Sequence, residues 1–433
     1  ILEGEKSSKY NVGWYSPFPL LDKGKIDQLL RAVCESTDIF VARIRVDVET
    51  SVVELSFDKH GPIVHGEQFE FANVKDMVEW MDTEVIERKI GMEWIGNGLF
   101  AWVKVRETGK CYLFSCLHHL FVDGLGSKHL HARFFQAYES LYGGRPLKHS
   151  PSFQQYIARS HQLHLDQHEI FWKDFLSTNT ITRLRPYYHE TGRYKIKDSF
   201  ELKSVLAFTG SHLRNIAAFF KAVVATYFYR TIYDDDGDNN VVLETVWHGR
   251  TGEYIDLVGM TANPLLVACP IGDSFNETYQ ATLESMMQSF SHKELPYSRL
   301  QKLGVKFSQP DILVNIIPIS AESVLVTNPN GDAKFHLNVF VDVQNQRAWL
   351  DLVSSRQYFS DADSRMVLER ISLVAFRLSQ SPNSKTKSID LLLETEREVL
   401  LNELGPGRVV SFDTTKTLHG LFEVQVLKSP DRD

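Results

Sequence analysis

The chain has 433 residues, 43% of them hydrophobic and 24% charged, and a formal net charge of −8. Its length exceeds one compact core and favours two lobes with a cleft between them, and its apolar content excludes global disorder. The acidic balance excludes the basic face that nucleic acid requires, no apolar run approaches the roughly 20 residues that span a bilayer, and the cysteines show no zinc or disulfide spacing, so a cytoplasmic protein is expected.

Ile26, Leu29, Leu30 and Val33 recur at three- and four-residue steps, which predicts a helix over residues 25–33. Residues 111–117 alternate as a strand does, with Tyr112, Phe114 and Cys116 on one side and Leu113, Ser115 and Leu117 on the other. A loop over 118–126 follows. Leu130, Phe134, Ala137, Tyr138 and Leu141 then restore helical spacing until Gly143-Gly144-Arg145-Pro146 stops the helix. One further helix, capped by Ser152, is predicted to run on to Phe175. The polar stretch after it sets the boundary between an N-terminal lobe, 1–178, and a C-terminal lobe, 179–398. Residues 200–208 alternate as a strand, and Ser211 caps a helix through Ile216, Phe219, Phe220, Val223 and Phe228. The run Asp234-Asp235-Asp236-Gly237-Asp238-Asn239 is contiguous, whereas a calcium loop spaces its oxygens at alternate positions, so it reads as a solvated turn. Residues 399–433 read as a linker around Gly405-Pro406-Gly407 and a new amphipathic start at 417–427.

Between the predicted strand and its helix stands His118-His119-Leu120-Phe121-Val122-Asp123-Gly124, where a scaffold can hold a side chain rigidly beside a cleft. This segment resembles the HHxxxDG motif of condensation domains in nonribosomal peptide synthetases, relatives of chloramphenicol acetyltransferase. Val246 to Arg250, followed by Gly259-Met260-Thr261-Ala262-Asn263-Pro264, resembles the family's later arginine and Asn-Thr-like turn, although Asn263-Pro264 departs from the commoner pair. Ser291-His292-Lys293-Glu294-Leu295-Pro296-Tyr297 resembles its HQDVPFE motif. Thr417-Leu418-His419-Gly420-Leu421-Phe422-Glu423, followed by Ser429-Pro430-Asp431, resembles the opening of an adenylation domain. The family's usual first motifs are missing, and residues 37–44 keep only Arg43 of the second.

The resemblance implies an α/β (α+β) fold of two chloramphenicol acetyltransferase-like lobes, a V-shaped pseudo-dimer around a central tunnel. It implies amide formation between a carrier-bound acyl or peptidyl thioester and a carrier-bound aminoacyl acceptor, both tethered by phosphopantetheine. The implied partners are upstream and downstream peptidyl carrier domains and an adjacent adenylation domain; no metal and no tightly bound cofactor are expected. Making an amide from a thioester requires a neutral amine and a stabilised oxyanion, and an imidazole with an ordinary pKa of about 6.5 suits both needs. By resemblance that imidazole is His119, with Gly124 offering its N–H to the oxyanion. His118 is then structural, Asp123 forms a buried ion pair with Arg250, Asn263 lines the tunnel, and His292 is packing. An epimerisation domain shares HHxxxDG and is resembled by His248-Gly249-Arg250 with Glu253 nearby. A free-standing coenzyme A-dependent acyltransferase is a second rival, but its DFGWG motif is absent. A catalytically silent recruitment domain would not need the intact motif.

Overall fold

Strand β3 (Leu99–Val105) is apolar at nearly every position, and such a run is stable only with both faces covered. The computed structural model, which describes residues 6–47, 52–58, 64–232, 239–300, 302–303, 307–319, 324–329, 332–405 and 415–430, covers both. Its chain divides into two compact units, Ile1–Ile389 and Asp390–Asp433. In the first unit, β1 (Asn11–Pro17), β2 (Gly66–Phe71), β3 and β4 (Cys111–His118) form a sheet in the order β2-β3-β4-β1. Leu99, Ala101 and Val103 meet Met77, Met81 and Val85 of helix α2 (Val74–Glu87) on one face. Phe100 and Trp102 meet α1 (Lys23–Glu35) and α3 (Gly124–Gly143) on the other. The predicted face of α1 is buried as expected, with the Asp22 carboxylate capping the helix through Lys25 N–H.

The second half of the unit builds a six-stranded sheet from β5 (Arg193–Glu201), β6 (Asn240–Trp247), β7 (Asn263–Pro270), β8 (Ile312–Pro318), β10 (Phe335–Asp342) and β11 (Arg347–Ser355). Its order is β7-β6-β8-β10-β11-β5, with β6, β8 and β10 mutually parallel and the remaining pairs antiparallel. Strand β9 (Val324–Thr327) leaves this half and pairs antiparallel with β1, so the first sheet is completed by residues from far along the chain. Helix Leu213–Ile232 packs on β6 and β8 and is buried around almost its whole circumference, helix Phe275–Ser291 covers β7, and helix Asp361–Gln380 covers β5 and β11. With helices on that face, the opposite face of the sheet is left for the cavity described below.

Three expectations are corrected. The helix predicted from 152 to 175 is two, Phe153–Ser160 and Asp166–Thr178, because Asp166 and Glu169 open a fresh first turn where the helix dipole favours acids. The strand predicted over 200–208 ends at Glu201, and Lys203–Thr209 is helical, since Leu202, Val205 and Thr209 are buried at three- and four-residue steps. The loop after His118 is shorter than 118–126, because α3 begins at Gly124. The acidic run 234–239 lies outside the described residues apart from Asn239, and 406–414 and 431–433 are likewise outside. In the second unit, Thr417 caps a helix over Leu418–Lys428. Among the described residues no helix is long and apolar enough to cross a membrane.

Candidate active site

The loop between β4 and α3 is fixed at its C-terminal end by one carboxylate. Asp123 is buried, and its Oδ1 accepts from Gly126 N–H at 2.6 Å, capping α3. Its Oδ2 accepts from Arg250 Nη1 at 2.9 Å and from the Thr261 and Ala262 N–H groups at 3.0 and 2.9 Å. Arg250, equally buried, also donates to the carbonyls of Leu257, His248 and Gly259 at 2.9, 3.0 and 2.8 Å. Burial alone would raise the Asp123 carboxyl, but the Arg250 charge and the converging donors hold it below its ordinary value. The pair therefore ties the first-half loop to the segment 248–262 of the second half, with every bond charge-assisted. Gly126 is required by this closeness: a Cβ there would sit 2.5 Å from the Gly259 carbonyl oxygen.

At the other end of the loop His118 closes β4, buried, with its Nδ1 accepting from Leu120 N–H at 3.1 Å. Burial and the adjacent His119 push the His118 imidazole down to about 4, so its ring stays neutral. His119 N–H donates to the Tyr10 carbonyl at 2.7 Å, and the residue lines the cavity described below. Below this loop, His131 of α3 bridges Ser16 and Ser115 at 2.8 and 2.9 Å, clamping the helix to β1 and β4. Burial drives the His131 imidazole down to about 3.

A cavity of about 550 Å³ lies between the two halves. One wall carries His118, His119, Asp123 and Gly124 of the motif with Trp14 of β1; the other is the open face of the second sheet. That face is written with period two: Glu244 and Val246 on β6, Leu313, Asn315 and Ile317 on β8, His336 and Asn338 on β10. Gly124, first residue of α3, lines the cavity, and N–H groups of a first helical turn have no intrahelical acceptor. A Cβ at Gly124 would approach Leu325 of β9 to 3.3 Å, so the glycine keeps this wall clear.

Asn263 is not among the residues of that cavity. It borders an adjoining pocket of about 580 Å³, and its side chain is committed to the turn at 293–297. Nδ2 donates to the Lys293 and Leu295 carbonyls at 2.9 and 2.8 Å, and Oδ1 accepts from Tyr297 N–H at 3.0 Å. His292 stacks on Phe171 with ring centroids 4.0 Å apart, as a packing residue does. Glu253 pairs with Arg159 at 3.1 Å and is exposed, away from the cavity. Sequence reasoning missed Gly126, His131 and Glu244. A glycine two places after Asp123-Gly124 and an acid inside the apolar run of β6 were their legible signals. Among the described residues no cluster of His, Cys, Asp or Glu has metal-binding geometry.

This geometry belongs to a recognisable class. The family model for the condensation domain matches residues 21–401, and the chain is a member of that family. It is 24% identical over 370 residues to surfactin synthase subunit 2 of Bacillus subtilis, covering 75% of this chain and 10% of that protein. Against subunit 1 of the same synthase it is 21% identical over 437 residues, 93% of this chain and 12% of that one. The chain thus spans about a tenth of the length of these relatives. Among solved structures, the starter condensation domain of rhizomide synthetase in complex with C8-CoA aligns with a TM-score of 0.77 at 18% identity, covering 89% of this chain and 93% of that one. The first condensation domain of the calcium-dependent antibiotic synthetase, bound to a substrate analogue, aligns at 0.74 and 17% identity over 90% and 96% of the two chains. The mixed α/β architecture is therefore that of condensation domains.

Proposed function

We propose that this chain joins an acyl or peptidyl thioester to the amine of an aminoacyl acceptor, each presented on the phosphopantetheine arm of a carrier domain. The amine nitrogen attacks the thioester carbon, the C–N bond forms as the C–S bond breaks, and the thiol leaves with the proton that the amine gives up. His119 hydrogen-bonds the amine and takes that proton, while the N–H of Gly124 lies on the same wall for the oxyanion. His118, Asp123 and Arg250 hold the loop in place. The observation that carries this reading is the placement of the His119 imidazole on a cavity between the two halves, in a member of the condensation family. Upstream and downstream carrier domains and an adjacent adenylation domain are the partners this reading requires, acting in the cytoplasm. It further requires that the cavity be reached from two faces, one for each arm.

The test is mass spectrometry of an acceptor-loaded carrier after incubation with an acyl-loaded donor carrier. Wild-type protein adds the donor mass to the acceptor, and His119→Ala slows this by roughly 10²-fold or more with the melting temperature unchanged. Full rate in His119→Ala would remove the imidazole from the chemistry. Equal turnover of free coenzyme A thioesters would favour the free-standing acyltransferase.

A further inference from the structure

Of five buried carboxylates, Asp342 is held by the N–H and side-chain amide of Asn345 at 3.1 and 2.8 Å, and the other four invite comparison. Asp123 faces Arg250 at 2.9 Å, Asp311 faces Arg183 at 3.0 Å, and Asp351 faces Lys195 and Lys197 at 3.8 and 3.9 Å. Glu244 is buried as deeply, 2% exposed, and has no cation among the described residues. Its hydrogen bonds come from neutral groups, Tyr297 Oη at 3.0 Å and the Gln309 side chain. Burial, resisted by those two bonds, pushes its carboxyl up to about 7. A carboxyl with no cation among the described residues is costly in a wall whose other members are the aliphatic Val246, Leu313 and Ile317 and the neutral Asn315, His336 and Asn338, and the usual reason to keep one is a partner that arrives with the ligand. Of the two lysines that line the cavity, Lys9 is bound to Asp332 at 2.9 Å and Lys128 stands on α3 in the facing wall.

We propose that Glu244 is a specificity residue that receives a side-chain amine, lysine- or ornithine-like, carried by one of the two substrates and distinct from the amine that reacts at His119. The inference rests on the condensation reading of the cavity. The cation belongs to a second amine because a carboxylate beside the nucleophile would hold it as ammonium, and an ammonium has no lone pair to attack with. The rest of the substrate is apolar, to match the aliphatic residues around Glu244. A site that offers one ionisable acceptor in such a wall rejects the isostere that lacks the donor, since the buried carboxyl is then left without a cation.

The experiment compares kcat/KM for carrier-bound lysyl and norleucyl substrates, placed in turn as acceptor and as donor, in wild-type protein and Glu244→Gln. In at least one position wild type favours lysyl by about tenfold or more, and Glu244→Gln reduces that ratio to near one while the melting temperature shows it folded. Amide formed from both substrates without a lysyl preference in either position overturns the inference and leaves the condensation reading standing. A lysyl preference that survives in Glu244→Gln also overturns it. Absence of amide from every pair in wild type sinks the condensation reading itself, and with it this inference. The wild-type ratio decides the matter even where the variant does not fold.

Discussion

The two walls of the cavity are built on opposite plans. The wall bearing His119 is cross-linked behind its surface: Asp123 accepts from three backbone N–H groups and Arg250, and Arg250 donates to three carbonyls. The wall offered by the second sheet lacks such a cross-link: among the described residues Glu244 has no cation and the buried Nδ2 of Asn338 has no partner, as His118 Nε2 and Trp14 Nε1 have none on the first wall. Preorganisation is what a reacting group demands, and residual capacity is what recognition of a variable substrate demands. On the proposed reading the cross-linked wall carries the chemistry and the open face of the second sheet the selection.

Removing the anchor of the rigid wall has the largest expected effect. Asp123→Ala leaves a buried guanidinium uncompensated and costs about 3–5 kcal/mol by denaturant unfolding, with activity lost through the fold. Adding Arg250→Met relieves the stranded charge but leaves the Leu257 carbonyl and three N–H groups without these partners, with the His248 and Gly259 carbonyls each losing one donor. The double variant therefore regains only part of the loss, with a clear coupling energy in the cycle. Full recovery would mean that charge alone, and not the backbone network, holds this wall.

The rigid wall was also the legible one. Its residues are contiguous in His118 to Gly124, and the partner Arg250 stands in a second short motif, so the family resemblance those two motifs carry was enough to bring them together. The same holds for α1 and for β4, whose periodicities reflect burial on one face and on two. The selecting wall is assembled from β6, β8 and β10, each giving alternate residues to the cavity, and no short window contains two of those strands. Glu244 was visible only as an acid in an apolar run, with nothing local to say that it faces a cavity and not a cation. The misjudged stretch at 200–208 failed for another reason: seven residues of helix share too few turns to separate a period of two from one of three and four.

Acid distinguishes the walls next. His131 under the rigid wall and His336 on the selecting wall are both buried and neutral, held down to about 3 and about 4, with burial the main cause. Both folded values lie below the unfolded value of 6.5, so the stability they contribute is complete above pH 6.5 and is lost as pH falls toward the folded values. By pH 5 each withdraws about 2 kcal/mol, at about 1.4 kcal/mol per pH unit. The two separate only below pH 4, where His336 accepts its proton beside Asp351 and His131, between two serines, still refuses one. Unfolding of His131→Asn and His336→Asn across this range measures both slopes; a slope in the His131→Asn protein equal to that of wild type would show that the serine bridge carries no linkage.

The smallest expected effect compares two asparagines. Asn263 spends all of its tight bonds on backbone, two carbonyls at 2.9 and 2.8 Å and one N–H at 3.0 Å, so truncation leaves three partly buried backbone groups unpaired. Asn338 has only the His336 ring at 3.1 Å and a long contact from Asn315 at 3.5 Å, and its own Nδ2 is already without a partner. Asn263→Ala should cost about 2–3 kcal/mol and Asn338→Ala about 1 kcal/mol or less, because an unsatisfied donor is removed along with the bonds that are lost. Activity should divide the other way: Asn263→Ala lowers the melting temperature with all substrates turned over in unchanged proportion, whereas Asn338→Ala, at the cavity surface, alters the ranking of carrier-bound substrates. Equal costs for the two would show that the second sheet is held as tightly as the loop it faces, and the division of labour between the walls would fall with it.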